Sequence, residues 1–290
     1  GYVRAVAYLA DGYSTEDLVF VNAPHEVDEV EVQFVELYTT ALDGRGRPVD
    51  DLRQEEFSVL EDNVEQTIAR FEELDDLPIH VGVLLDTSAS MAESLDAVRR
   101  AALDFFDQAI RPRDRAAVIP FANFPHLAVE LTGDHAALGA GLAGLSPGGR
   151  TALYDSVMFS LYYFTGVRGQ RALLVLSDGR DESSRFTFDD TLEYARRAGI
   201  TIYTIGLDLG DRGARSKLAR LADETGGRSF FLKDTGALPQ AYATIQRELR
   251  SQLLIAYQSS NTADDEAFRR VELQVARPGV EVKTLSGYYP

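Results

Sequence analysis

Apolar and polar positions alternate with a period of two through much of residues 1–77, the pattern of strands with one buried face. Tyr2–Leu9 and Leu18–Asn22 read as short strands around the turn-like Ala10-Asp11-Gly12-Tyr13-Ser14. In Glu29–Leu37, Val30, Val32 and Phe34 face one way and Glu29, Glu31 and Gln33 the other, with a slip at Val35–Leu37 that predicts a bulge. Asp43–Pro48 is a turn cluster, and Phe57–Glu61 and Val64–Phe71 flank Asp62-Asn63, a two-residue hairpin turn. At Ile79 the pattern changes. Ile79–Leu85 is almost continuously apolar and of strand length, as in a parallel sheet covered on both faces. Met91, Leu95, Val98, Ala102, Phe105 and Ala109 then recur at helical spacing and predict a helix over Met91–Ile110.

Strands are predicted next at Ala116–Phe121, Leu127–Leu131, Ala172–Leu176, Ile200–Gly206 and Ser229–Leu232. Helices are predicted at Asp134–Leu145, Thr151–Phe164, Phe188–Ala198, Lys217–Thr225 and Ala237–Leu254. This alternation argues for an α/β sheet with helices on both faces. The period of two returns in Leu253–Gln258, Arg270–Ala276 and Val280–Thr284. So few strands do not fold alone. They are therefore expected to pair with strands of 1–77, making the α/β domain an insertion in a split antiparallel β-sandwich. The expected division is 1–77, 78–252 and 253–290, with 1–24 as the alternative end of an upstream domain.

Composition narrows the function classes. The net charge is −17, and residues 1–77 carry −15 of it, with 20 Asp and Glu against 5 Lys and Arg. Such a chain repels nucleic acid and anionic lipid. No apolar run approaches the roughly 18 residues of a membrane span. There is no cysteine, which excludes disulfides, thiolate catalysis and cysteine-ligated zinc. The chain starts at Gly1 and is expected to be a fragment of a longer protein.

The candidate chemistry lies where the Ile79–Leu85 strand ends. Asp86, Ser88 and Ser90 stand at alternate positions there, and ligands of open α/β sheets bind at the carboxyl ends of strands. Thr151 follows the Gly148-Gly149-Arg150 loop, and Asp178 ends the strand Ala172–Ser177. Singly, each residue has a plainer role: Asp86, Ser88 and Thr151 as helix caps, Asp178-Gly179 as a turn. Together they offer three hydroxyls and two carboxylates at one sheet edge. Oxygen-only ligation suits a hard cation, magnesium first, with manganese or calcium as alternatives. Ser88, Ser90 and Thr151 are expected to ligate directly, Asp86 and Asp178 through water. His25, His80, His126 and His135 are scattered and are not expected to be ligands.

These residues resemble the metal-ion-dependent adhesion site of von Willebrand factor type A (VWA) domains, whose pattern is Asp-x-Ser-x-Ser, a later Thr, and an Asp after a central strand. The matches are Asp86-Thr87-Ser88-Ala89-Ser90, Thr151 and Asp178; Ala89 departs from the common Gly. The resemblance covers about 79–252. It implies a doubly wound, mostly parallel six-stranded sheet and a non-enzymatic module whose metal recruits an Asp or Glu of a partner protein. The whole chain is also similar to a bacterial group of secreted proteins in which Ig-like β segments flank this domain. Gly46-Arg47-Pro48-Val49, Glu56–Asp62, Arg277-Pro278-Gly279-Val280 and Gly287-Tyr288-Tyr289 carry that similarity. It implies an extracellular or cell-envelope location. Two other readings compete: a module whose metal is purely architectural, and a magnesium phosphohydrolase with Asp86 as nucleophile. Ser88 stands where such hydrolases need a second carboxylate.

Overall fold

The computed structural model describes residues 2–8, 14–20, 34–74, 77–178, 180–263 and 265–290. Tyr2–Tyr8 (β1) and Ser14–Phe20 (β2) pair antiparallel, Tyr2 opposite Phe20, and form a unit of their own. The predicted turn residues 10–13 and the alternating stretch 29–33 lie outside the described residues.

From Phe34 on, the chain forms one compact unit. Its strands before the central sheet are Phe34–Asp43 (β3), Phe57–Glu61 (β4), Val64–Gln66 (β5) and Ile68–Glu73 (β6). The central series runs Ile79–Asp86 (β7), Leu95–Ala109 (α1), Arg115–Phe121 (β8), Val129–Thr132 (β9), His135–Ala143 (α2), Leu153–Tyr163 (α3) and Gln170–Ser177 (β10). It continues with Phe188–Ala198 (α4), Thr201–Leu207 (β11), Arg212–Glu224 (α5), Ser229–Leu232 (β12) and Leu238–Arg250 (α6). The chain closes with Leu253–Gln258 (β13), Arg269–Val275 (β14), Val280–Lys283 (β15) and Gly287–Tyr288 (β16).

The central sheet has six strands in the order β12-β11-β10-β7-β8-β9, parallel except for β9. Its strands are apolar throughout because both faces are covered. On β7, Val81, Val83 and Leu85 pack with α1, α2 and α6, whereas Leu84 packs with residues of α3 and α4. At Gly82 the residue that ends α3 comes close: a Cβ there would lie 2.8 Å from the Phe164 ring. The spent period of the last helix differs from expectation. Leu253 and Leu254 continue the helical apolar spacing, yet α6 stops at Arg250, because the next residues are claimed as β13 by strands on both sides.

Two four-stranded antiparallel sheets flank this series in the sequence: β15-β3-β13-β6 and β16-β14-β4-β5. Leu37, Leu52, Val59, Ile255, Tyr257 and Leu273 share a core drawn from both. The Asp62-Asn63 turn has φ of +48° and +65°, the mirror-image hairpin geometry that Asn and Asp tolerate. The expected single strand Val64–Phe71 is corrected to two: it breaks at Thr67, β5 pairing with β4 and β6 with β13, so the chain changes sheets. The two segments that cross between these sheets and the six-stranded sheet touch, Leu74 N–H donating to Gln252 O at 3.3 Å.

Candidate metal centre

β7 ends at Asp86, which is fully buried. Its Oδ1 accepts from Ser88 N–H at 2.8 Å, and its Oδ2 from Ser177 Oγ on the neighbouring β10 at 2.6 Å. Thr87 is tied to the other neighbour: its N–H and Oγ1 both donate to Phe121 O of β8, at 2.7 and 2.9 Å. The chain then closes a single 3-10 stretch, Ala89–Glu93, anchored by the buried Met91. This holds Ser88 Oγ and Ser90 Oγ 3.1 Å apart, and Ser90 Oγ donates to Asp178 Oδ1 at 2.9 Å. Asp86, Ser88, Ser90 and Asp178 thus form one hydrogen-bonded chain at the carboxyl ends of β7 and β10.

Thr151 reaches the same place through its backbone. Gly148 N–H donates to Thr87 O at 2.7 Å, and Ala89 N–H to Gly149 O at 3.1 Å, which docks its loop on the first one. Thr151 O accepts from Glu182 N–H at 2.7 Å, joining it to the segment that follows Asp178. Gly149 is required: its φ is +81°, and a Cβ would lie 2.9 Å from Asn123 Nδ2. Thr151 does not open the helix as expected; α3 begins at Leu153 with Ala152 at its cap, which leaves the Thr151 hydroxyl without a capping duty.

Burial pushes the Asp86 carboxyl above the usual carboxylate range, against the pull of the Ser177 and Ser88 hydrogen bonds. Burial also raises Asp178, with Ser90 pulling it down and Asp208 and Glu182 adding to the rise. Among the described residues no Arg, Lys or His forms an ion pair with either. Nor do three His, Asp or Glu side chains gather to hold a metal. The hydrogen-bonded cluster is therefore two carboxylates and the hydroxyls of Ser88 and Ser90, all oxygen, with Ser90 exposed to solvent and the Thr151 loop docked beside it. It fits a hard divalent cation that keeps water in its sphere, and it lacks the nitrogen or sulfur that softer metals prefer.

Two contributors were not singled out in the sequence. Ser177 holds Asp86 from 91 positions away, and Asn123 Oδ1 accepts from Arg150 N–H at 2.8 Å to set the Thr151 loop. The signal for Ser177 was its place as the polar end of the apolar strand before Asp178. Asn123 gives none beyond lying in a loop. Of the charged residues beside Asp178, Arg180 pairs with Asp211 at 3.3 Å, and Asp181 Oδ1 accepts from Tyr154 N–H and Ser184 Oγ. Gly179 lies outside the described residues.

A family model described as "von Willebrand factor type A domain" matches residues 80–244. Among curated proteins there is no match. Similar solved structures include the vWF domain of the type V pili tip protein Mfa5 from Porphyromonas gingivalis. That pair is 15% identical with a TM-score of 0.51, covering 59% of this chain and 94% of that one. Proximal thread matrix protein 1 from the mussel byssus, with a zinc-occupied MIDAS motif, is 18% identical with a TM-score of 0.55, covering 66% of this chain and 50% of that one. The PilB minor pilin from Streptococcus sanguinis is 13% identical with a TM-score of 0.50, covering 60% and 62%. At these identities the likeness is one of fold.

Proposed function

The chain belongs to the von Willebrand factor type A domain family, and from that premise we propose that it is a non-enzymatic, metal-dependent protein-binding module. Residues 78–252 are the VWA domain, inserted in an Ig-like split sandwich of residues before and after it. Asp86, Ser88, Ser90, Thr151 and Asp178 hold Mg2+, with Mn2+ or Ca2+ as substitutes, and the metal supplies an electrophilic position that takes an Asp or Glu of a partner protein. The chain's own residues do the rest. Ser88, Ser90 and Thr151 offer neutral oxygens, so the metal's charge is only partly offset. Ser177 and Ser88 N–H keep the buried Asp86 oriented. Exposed Ser90 leaves one side open to the partner. An extracellular or cell-envelope setting goes with this reading, since the fold is shared with a type V pili tip protein and a minor pilin.

One observation carries the proposal. Of the buried carboxylates among the described residues, Glu61, Asp114 and Glu248 each face an arginine, and Asp86 does not. Burying an uncompensated charge is costly, so a cation from outside is the natural complement. Against a hydrolase stands Ser88, which occupies the position where a nucleophilic Asp86 would need a second carboxylate as general acid.

The test is thermal and chemical unfolding with and without Mg2+. At a hundredfold excess over Kd, Mg2+ should stabilise the protein by about 2.7 kcal/mol, and Asp86→Ala should abolish the response. Capture of a partner from native envelope extract should fail in EDTA and with Asp86→Ala. A protein indifferent to Mg2+, Mn2+ and Ca2+ would refute the site. Stabilisation without metal-dependent capture would leave the metal an architectural role.

A further inference from the structure

Phe124 is 68% exposed, in the short connection between β8 and β9, on the same sheet edge as the metal centre. The backbone that carries it is fastened on both sides. Asn123, its neighbour, accepts from Arg150 N–H at 2.8 Å and sits against Gly149. On the other side Pro125 bridges to Phe121, and His126 N–H donates to Pro120 O at 3.1 Å. The turn is thus fastened on both flanks, and fastened to the loop whose Gly149 O accepts from Ala89 N–H beside Ser88 and Ser90. Among the described residues none covers the ring.

The charge on this rim is equally specific. Of the chain's net charge of −17, residues 1–77 carry −15, so the domain that bears the rim is close to neutral. At the rim stand Arg150 and Arg180, with side chains 67% and 71% exposed; Arg150 donates to Glu182 O at 2.9 Å and lies 3.6 Å from its carboxylate, and Arg180 pairs with Asp211 at 3.3 Å. Such exposed pairs exchange partners at little cost. The edge therefore offers a cation position, a pinned apolar ring and exchangeable guanidinium groups side by side.

Resting on the reading above, we propose that the partner is a protein loop in which the metal-binding Asp or Glu has a bulky aliphatic or aromatic residue beside it. The carboxylate turns to the metal position, the apolar side chain packs on Phe124, and Arg150 meets the loop's acidic side. A preorganised aromatic that loses water on contact is the usual anchor of an interface. Burial of a ring of this size is worth about tenfold or more in affinity.

The experiment is selection of displayed, disulfide-constrained loops with three central randomised positions. The baits are the intact chain in Mg2+, the same chain in EDTA, and Phe124→Ser and Phe124→Leu in Mg2+. The chain in Mg2+ should enrich Asp or Glu with an adjacent Leu, Ile, Val, Met, Phe or Tyr. Phe124→Ser should keep the acidic enrichment and lose the apolar neighbour, with affinity of the winning loops down about tenfold. Phe124→Leu should keep both. Acidic winners with no neighbour preference, or the same preference on Phe124→Ser, would overturn the role of Phe124 while leaving the metal site intact. Loops without acidic enrichment, or enriched equally in EDTA, would instead overturn the underlying reading, and this inference with it.

Discussion

The two ends of β7 each carry a buried carboxylate, and the molecule treats them in opposite ways. At the amino end Asp114 Oδ1 accepts from Ile79 N–H at 2.9 Å, Oδ2 accepts from Arg111 N–H at 2.7 Å, and Arg250 of α6 forms an ion pair with it. Charge and hydrogen bonds are complete within the chain, and the group fastens the last helix where the flanking sheets attach. At the carboxyl end Asp86 has hydroxyl and backbone partners of the same quality and no basic residue. β7 thus starts against one closed carboxylate, Asp114 of the segment before β8, and ends on one left electrically open. Asp114 is compensated internally; the open Asp86 marks where something is to be bound.

Cutting the closed end should give the largest effect. Arg250→Ala leaves Asp114 buried with an unpaired charge, a change that costs about 3 kcal/mol or more. Urea unfolding should show that loss equally in Mg2+ and in EDTA. A loss that Mg2+ restores would mean the two ends are not independent. A smaller effect should come from Glu248 of α6, buried against Arg228 at 2.9 Å, with Tyr203 beside it and Lys283 and Arg247 nearby. Burial raises its carboxyl to about 6 from 4.5, outweighing the arginine. The native state then holds this proton more tightly than the unfolded chain. Its contribution is present below pH 4.5 and disappears as the pH rises through about 6, roughly 2 kcal/mol in all. Subtracting the unfolding curves of Glu248→Gln from those of the parent across pH 4.5–7.5 should isolate that slope. A flat difference would show that Arg228 compensates Glu248 fully.

What the sequence disclosed follows the same division between local and distant causes. The β7 run, the Asp86-x-Ser88-x-Ser90 spacing and the starts of α2 and α4, capped by Asp134 and Thr187, are written in neighbouring residues, and they were readable. The start of α5 was not. Arg212–Ser216 shows no apolar period, and the helix begins there because Asp211 accepts from Ala214 N–H. The break at Thr67 and the early end of α6 depend on which strands compete for the chain, and strand pairing is set by tertiary context rather than local preference. At the site, Thr151 and Asp178 could be placed only through their loops, and Ser177 could not be distinguished from any strand-terminal serine until β10 lay beside β7.

Ser177 sharpens the contrast between the two ends most finely, because it is the open end's substitute for an arginine. A hydroxyl donates one hydrogen bond and brings no net charge, so it steadies the Asp86 carboxylate without neutralising it. Residues that orient a metal-binding group in this way typically matter ten- to a hundredfold in metal affinity. Ser177→Ala should therefore weaken Mg2+ binding by about tenfold in calorimetric titration, with little change in metal-free unfolding. Ser177→Thr, which keeps the hydroxyl, should restore the affinity if the buried strand admits the methyl group. Unfolding of the metal-free protein tells the two cases apart, since a packing defect lowers stability in EDTA as much as in Mg2+. If Ser177→Ala binds Mg2+ as well as the parent, the orientation of Asp86 comes from Ser88 N–H alone, and the open end is held from one strand rather than two.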